Sequence, residues 1–150
     1  MYMILRVGAE VMEKEICNQY VMYGLDKYLK VIKQVILEIG VKEGTDDCFD
    51  IMLIMTEALT NAFKHGNQGN SEKPIYLRYY CNGSKLVIEI EDLGEGDDEL
   101  LIPEVMHEKS ILENHGRGLF IIASLADKVE YRKNILHIEK YCKKGNHEMH

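Results

Sequence analysis

With 150 residues the chain has the length of one ordinary domain, with volume for a single core. Its hydrophobic fraction of 46% and charged fraction of 29% are those of a soluble globular protein. A net charge of -7 without a local basic stripe argues against nucleic acid as the main ligand. No apolar run is long enough to span a bilayer, and Met1-Tyr2-Met3-Ile4-Leu5 lacks the basic start and long apolar body of a signal peptide. Cys17, Cys48, Cys81 and Cys142 are scattered without a Cys-x-x-Cys pair, which suits reduced thiols in a cytoplasm better than a disulfide framework or a zinc site. His147 and His150 sit close together, but in a polar C-terminal tail where disorder is the better expectation than a metal site.

In chain order, Tyr2 to Val7 reads as a short strand and Ala9 to Lys14 as weakly helical. Ile16, Tyr20, Val21, Met22 and Tyr23 place a strand over Glu15 to Tyr23, with imperfect alternation. Gly24-Leu25-Asp26 breaks it, and Asp26 is the expected N-cap of the next helix. There Tyr28, Leu29, Ile32, Val35, Ile36 and Ile39 recur at helical spacing until Gly40 and Gly44 end the run. A second, strongly apolar helix follows, capped by Thr45, Asp46 or Asp47, with Phe49, Met52, Leu59 and Phe63 expected to face a core. Gly66 and Gly69-Asn70 close it. After the loop Gln68 to Lys73 the period changes to two, with Ile75, Leu77 and Tyr79 alternating with Tyr76, Arg78 and Tyr80. Asn82-Gly83 is the strongest short hairpin signal in the chain. Leu86, Ile88 and Ile90 alternate in the returning strand, which runs into Asp92.

From Gly94 to His115 the sequence is acidic and shows little periodicity, and a loop of that length in a compact domain is functional or disordered. Gly116-Arg117-Gly118 then leads into an apolar helix, Leu119 to Leu125. Val129 to Arg132 and Ile135 to Tyr141 form a second hairpin, turning at Lys133-Asn134. There is no internal repeat, low-complexity segment or interdomain linker. The order strand, two helices, hairpin, long loop, helix, hairpin predicts an α+β fold. Its expected form is a two-layer sandwich with a mixed or antiparallel sheet and helices on one face.

Three stretches carry chemistry. In Glu57-Ala58-Leu59-Thr60-Asn61-Ala62-Phe63-Lys64-His65-Gly66-Asn67, the residues Glu57, Asn61 and His65 fall four apart and share one helix face. A carboxylate, a carboxamide and an imidazole at the edge of a core-packed helix are costly to bury without partners. Alone, the stretch reads better as an amphipathic helix with a solvated polar face. In Asp92-Leu93-Gly94-Glu95-Gly96 a strand-end aspartate can accept a hydrogen bond from an exocyclic amine, and glycines let a flat ring approach the backbone. Alone it is an acidic turn. Gly116-Arg117-Gly118-Leu119 offers free N–H groups and the positive end of a helix to a phosphate, with Arg117 able to add a charge-assisted contact. Alone it reads as readily as a flexible loop before a core helix.

In this order, with a long loop between the last two, the stretches resemble the GHKL ATPases, the superfamily of gyrase, histidine-kinase and mismatch-repair ATP-binding domains. Within it the chain looks most like the anti-sigma-factor serine/threonine protein kinases of bacterial partner-switching. That likeness is carried by the Glu57 to Asn67 stretch, by Gly116-Arg117-Gly118-Leu119-Phe120-Ile121-Ile122, and by Leu125-Ala126-Asp127 through Val129-Glu130-Tyr131. The resemblance covers residues 15–143 as an ATP-binding kinase domain, leaving residues 1–14 as an N-terminal extension and 144–150 as a polar tail. It implies ATP and Mg²⁺ as cofactors, with Asn61 presenting its amide oxygen to the Mg²⁺. Glu57 would take the proton from, or polarise, an attacking serine hydroxyl. Asp92 would bind the adenine amino group, Gly94 and Gly96 would line the base, and Gly116, Arg117 and Gly118, with Leu119, would form the phosphate site. Lys64 and His65 match the motif and receive a supporting electrostatic role, or sit as cations at a solvated helix end. The family usually has an apolar residue after Gly96, and here Asp97 and Asp98 follow.

The implied activity is phosphorylation of a small anti-anti-sigma protein in the cytoplasm, with a sigma factor as the partner held inactive. A homodimer through apolar residues of the first helix and first strand goes with it, and neither nucleic acid nor membrane is an expected direct partner. The alternative is a non-catalytic module that binds its partner under nucleotide control. A histidine-kinase catalytic domain is disfavoured, because no upstream helical region carries a phosphoacceptor histidine.

Overall fold

A computed structural model describes residues 6–7, 10–11, 15–94 and 114–143. Its centre is the period-two pattern. β4 (Pro74–Asn82) buries Ile75, Leu77, Tyr79 and Cys81, and β5 (Lys85–Glu91) buries Leu86, Ile88 and Ile90 on the same face. With β3 (Glu15–Tyr23), β6 (Lys128–Arg132) and β7 (Ile135–Tyr141) these strands form an antiparallel sheet in the order β3-β4-β5-β7-β6. Three helices, α1 (Tyr28–Ile39), α2 (Asp46–Asn61) and α3 (Asn114–Leu125), share a single core with the buried sheet face. The outward face is polar: Arg78 pairs with Glu89 and Glu91, and His137 lies between Glu89 and Glu139. This is the expected α+β sandwich, with an all-antiparallel main sheet.

Thr45 caps α2 by accepting the Cys48 N–H, and α2 packs against both α1 and α3. The buried Lys140 on β7 fixes the far end of α3, donating to the Leu125 carbonyl at 2.9 Å with Asp50 of α2 at 3.6 Å. An ammonium is a good partner for a helix's last carbonyls. Among the described residues no helix is long and apolar enough to cross a membrane.

Several local expectations shift. Glu10–Val11 pairs antiparallel with Arg6–Val7 as a short ladder, β2 with β1, rather than turning helical, since so short a stretch repays little of the cost of helix nucleation. The remaining residues of 1–14, the loop over 95–113 with Gly96, Asp97 and Asp98, and the tail 144–150 lie outside the described residues. Asp26 is not the cap of α1. Lys27 holds that position without a side-chain bond, and the Tyr28 N–H closes on the Leu25 carbonyl instead. Phe49 is 67% exposed, because the helix turns Cys48, Ile51, Met55, Ala58 and Ala62 to the core and Phe49 falls off that stripe. The first hairpin turns at Gly83-Ser84, one residue later than expected: Asn82 still pairs with Lys85, and Gly83 supplies the positive φ. The second hairpin turns at Lys133-Asn134, both at positive φ, as expected. Finally, α3 takes Gly116 to Gly118 into its first turns rather than beginning after them.

The end of α1 is tied to the sheet by Glu38. Its carboxylate accepts from the hydroxyls of Tyr20 and Tyr79, the latter at 2.5 Å, and from the amides of Asn18 and Gln34. Burial by itself would raise the Glu38 carboxyl, but these four donors outweigh it and hold it down at about 2. A depressed folded-state value contributes stability above the ordinary carboxylate value of 4.5, lost as pH falls towards about 2. The stability gap between the parent and Glu38→Gln, measured by urea unfolding, is therefore expected to shrink on acidification from about pH 6 through this window. A gap independent of pH would rule out the ionised carboxylate as its source.

Candidate functional site

The site is built at the end of α2. After Asn61 the helix widens into a π turn, Ala62–Gly66, in which the Asn67 N–H reaches back to the Ala62 carbonyl at 2.8 Å. Such turns are rare and recur at functional sites. Gly66 ends against the carboxylate of Asp92, just beyond β5. A Cβ on Gly66 would lie 2.7 Å from Asp92 Oδ1 and closer still to Oδ2. Gly94 is as close on the other side, where a Cβ would lie 2.9 Å from the Gly66 carbonyl carbon and closer still to its oxygen. Only bare α-carbons fit here.

Asp92 is 3% exposed. Its N–H donates to the Asn134 carbonyl at 3.1 Å, and its Oδ1 accepts the Gly94 N–H at 2.8 Å. Burial pushes the carboxyl above the usual range, against the opposing effect of the Gly94 N–H, and the nearby Glu91 charge adds to the rise. A carboxylate kept this dry is a strong acceptor for a donor that enters beside it.

The helices bring the other motif pair together. A Cβ on Gly118 of α3 would meet Glu57 Oε1 at 2.9 Å and the two amide atoms of Asn61 at 3.1 and 3.2 Å. Glu57 and Asn61 are half-buried, and the Asn61 Nδ2 is buried without a hydrogen-bond partner. A buried orphan of this kind costs free energy and demands an explanation. Thus Glu57, Asn61 and Gly118 form one cluster and Gly66, Asp92 and Gly94 another, joined by the last turns of α2. Gly116 lies in the first turns of α3 and Arg117 is exposed. The Leu119 side chain is buried in the core. Lys64 and His65 are exposed. Partial burial and the Lys64 ammonium hold the His65 imidazole below its usual value.

Two residues to which sequence reading gave no role stand out. Asn67 is fully buried and bridges the Asp92 segment to the start of β4, and Asn134 holds the same segment from the second hairpin. Asn134 had been legible only as a turn residue, and Asn67 only as the last letter of a motif.

An unpartnered amide N–H donor at one end and a dry acceptor beside Cβ-free backbone at the other fit a ligand with phosphate oxygens at one end. At its other end such a ligand has a flat, amine-bearing ring. Residues 24–139, from the loop after β3 into β7, match the histidine kinase-like ATPase domain family. Relatives include the anti-sigma F factors of Bacillus thuringiensis (strain Al Hakam), Bacillus mycoides (strain KBAB4) and Bacillus cereus (strain AH187). Each is 30% identical over 109 residues, covering 67% of this chain and 74% of the relative. From a match across most of its length, the chain belongs to the histidine kinase-like ATPase domain family of the GHKL superfamily, with anti-sigma F factors among its relatives.

Proposed function

We propose that this protein is a cytoplasmic, Mg²⁺- and ATP-dependent serine/threonine kinase of the anti-sigma type, phosphorylating a small anti-anti-sigma protein and holding a sigma factor in its other state. The observation that carries the reading is the closeness of Gly118 to both Glu57 and Asn61, which brings residues of two separate motifs to one place. When bound, ATP supplies the phosphoryl group and Mg²⁺ offsets the charge of its phosphates. Asn61 would offer its amide oxygen to the cation. Glu57, one turn earlier, accepts the proton of the substrate hydroxyl at its carboxylate. Asp92 accepts the adenine amino group beside the close-packed Gly66 and Gly94 backbone, and Gly116, Arg117 and Gly118 receive the phosphates. Lys64 and His65 have a supporting electrostatic role. A homodimer goes with this reading, using the exposed Val21 and Tyr23 of β3 and Leu29 and Leu37 of α1.

Calorimetric titration of ATP with and without Mg²⁺, on the parent and on Asn61→Ala, tests the site. A contact to a charged group is worth about 1.5–3 kcal/mol, so the variant is expected to bind Mg·ATP roughly 10- to 100-fold more weakly. Parent binding that ignores Mg²⁺, or an unaffected variant, would remove Asn61 from the metal.

A further inference from the structure

The ladder between β5 and β7 ends at the pair Glu91 and Ile135. Past it, the Asp92-Leu93-Gly94 segment has no sheet partner, and Leu93 is 44% exposed, so no apolar anchor holds it. Two asparagines take over. Asn67 Oδ1 accepts the Leu93 N–H at 2.8 Å, while its Nδ2 donates to the carbonyls of Lys73 at 3.2 Å and Pro74 at 3.1 Å. From the opposite side the Asn134 carbonyl accepts the Asp92 N–H at 3.1 Å, and its Nδ2 donates to the Gly94 carbonyl at 2.8 Å. Every N–H of the segment thus has an acceptor, the Gly94 N–H being held by Asp92 Oδ1.

These bonds converge on one quantity, the direction of the Asp92 carboxylate. Oδ1 is committed to the Gly94 N–H, so wherever Gly94 sits, the carboxylate follows, and Gly94 is held by Asn134. The Asn134 Oδ1 is buried with no partner. A side chain serving only its own hairpin turn would be expected to leave that atom in water, and its burial is a cost accepted where geometry elsewhere is at stake. We infer that Asn67 and Asn134 are positioning residues that aim Asp92, and that together they set how strongly the site prefers a base bearing an exocyclic amine over one bearing a carbonyl there. This inference rests on the nucleotide reading of the site. A rigid buried acceptor rejects a carbonyl because two acceptors then face each other unpaired, whereas a carboxylate free to swing away discriminates less.

The test is the ratio of affinities for ATP and inosine triphosphate, whose ring carries a carbonyl in place of the amine. Asn134→Gly is the decisive variant: glycine keeps the positive φ of 71° and the backbone carbonyl that holds the Asp92 N–H, and removes only the side chain. The parent is expected to favour ATP, and Asn134→Gly to reduce that preference by about tenfold, mostly through weaker ATP binding, with a melting temperature close to the parent's. Asn67→Ala is expected to reduce the ratio too, alongside a loss of stability. A merely structural role would lower the melting temperature or both affinities together and leave the ratio alone. A parent that discriminates while Asn134→Gly keeps the same ratio overturns this inference and leaves the nucleotide site intact. A parent that binds neither nucleotide, or both equally, overturns the reading of Asp92 and the inference with it.

Discussion

Glu57→Ala is expected to abolish phosphate transfer while leaving ATP affinity within a few-fold of the parent. Glu57 lies one turn before Asn61 on α2, and its Oε1 is the nearest atom to the space above the Gly118 α-carbon. It is thereby placed to act on a substrate hydroxyl, and it makes no part of the base pocket at Asp92. Removing a positioned general base costs about 10²- to 10⁴-fold in rate. Alanine is the best helix former, so α2 is preserved and the loss cannot be assigned to unfolding. Glu57→Gln is the sharper variant, since it keeps the shape against Gly118 and loses the proton acceptor. The measurement is transfer of labelled phosphate from ATP to a candidate anti-anti-sigma protein, beside calorimetric ATP binding by each variant. Equal transfer by parent and variants would strip Glu57 of its role. Tight binding by the parent without any transfer would favour the partner-binding module that works without catalysis.

What the sequence made legible, and what it hid, follows from the range of the interactions. Ile75, Leu77, Leu86, Ile88 and Ile90 were readable because a strand sorts its side chains by the identity of the next residue but one. Lys133-Asn134 was readable because a two-residue turn with both residues at positive φ is local chemistry. The rotation of α2 was not, since Phe49 is apolar and only the sheet beneath decides that Cys48 and Ile51 face inwards. The early start of α3 is hidden for a similar reason: glycines weaken a helix on their own, but packing of Leu119 and Ile122 on α2 and the sheet extends it back over Gly116 and Gly118. The site behaved alike. Glu57 and Asn61 share a helix face by spacing alone, and the glycines were visible as glycines. That Gly118 sits on Glu57, or that Asn134 reaches Gly94 across 40 positions and Asn67 reaches Leu93 across 26, is long-range geometry that no window of sequence contains.

Gly94→Ala is expected to cost the site its base pocket and the fold part of its stability. The added methyl meets the Gly66 carbonyl, which is backbone in the π turn, and lies 3.1 Å from Asp92 Oδ1. Neither neighbour is the loose end of a flexible side chain. Gly66 cannot retreat, because its own α-carbon is pressed against the Asp92 carboxylate, and Asn67 next to it is tied to β4. Gly94 cannot retreat without stretching its N–H bond to Asp92 or its carbonyl bond from Asn134. Overpacking of this kind costs about 1–3 kcal/mol, and the strain falls on the bonds that orient Asp92. A methyl at Gly118, by contrast, meets the ends of the Glu57 and Asn61 side chains, which can turn aside. ATP affinity in Gly94→Ala is therefore expected to fall by roughly 100-fold or more, with a clear drop in melting temperature. Thermal unfolding followed by circular dichroism and ATP calorimetry on the same sample check both parts. Parent-like ATP binding in Gly94→Ala would mean that the glycine cradle around Asp92 is no part of the nucleotide site.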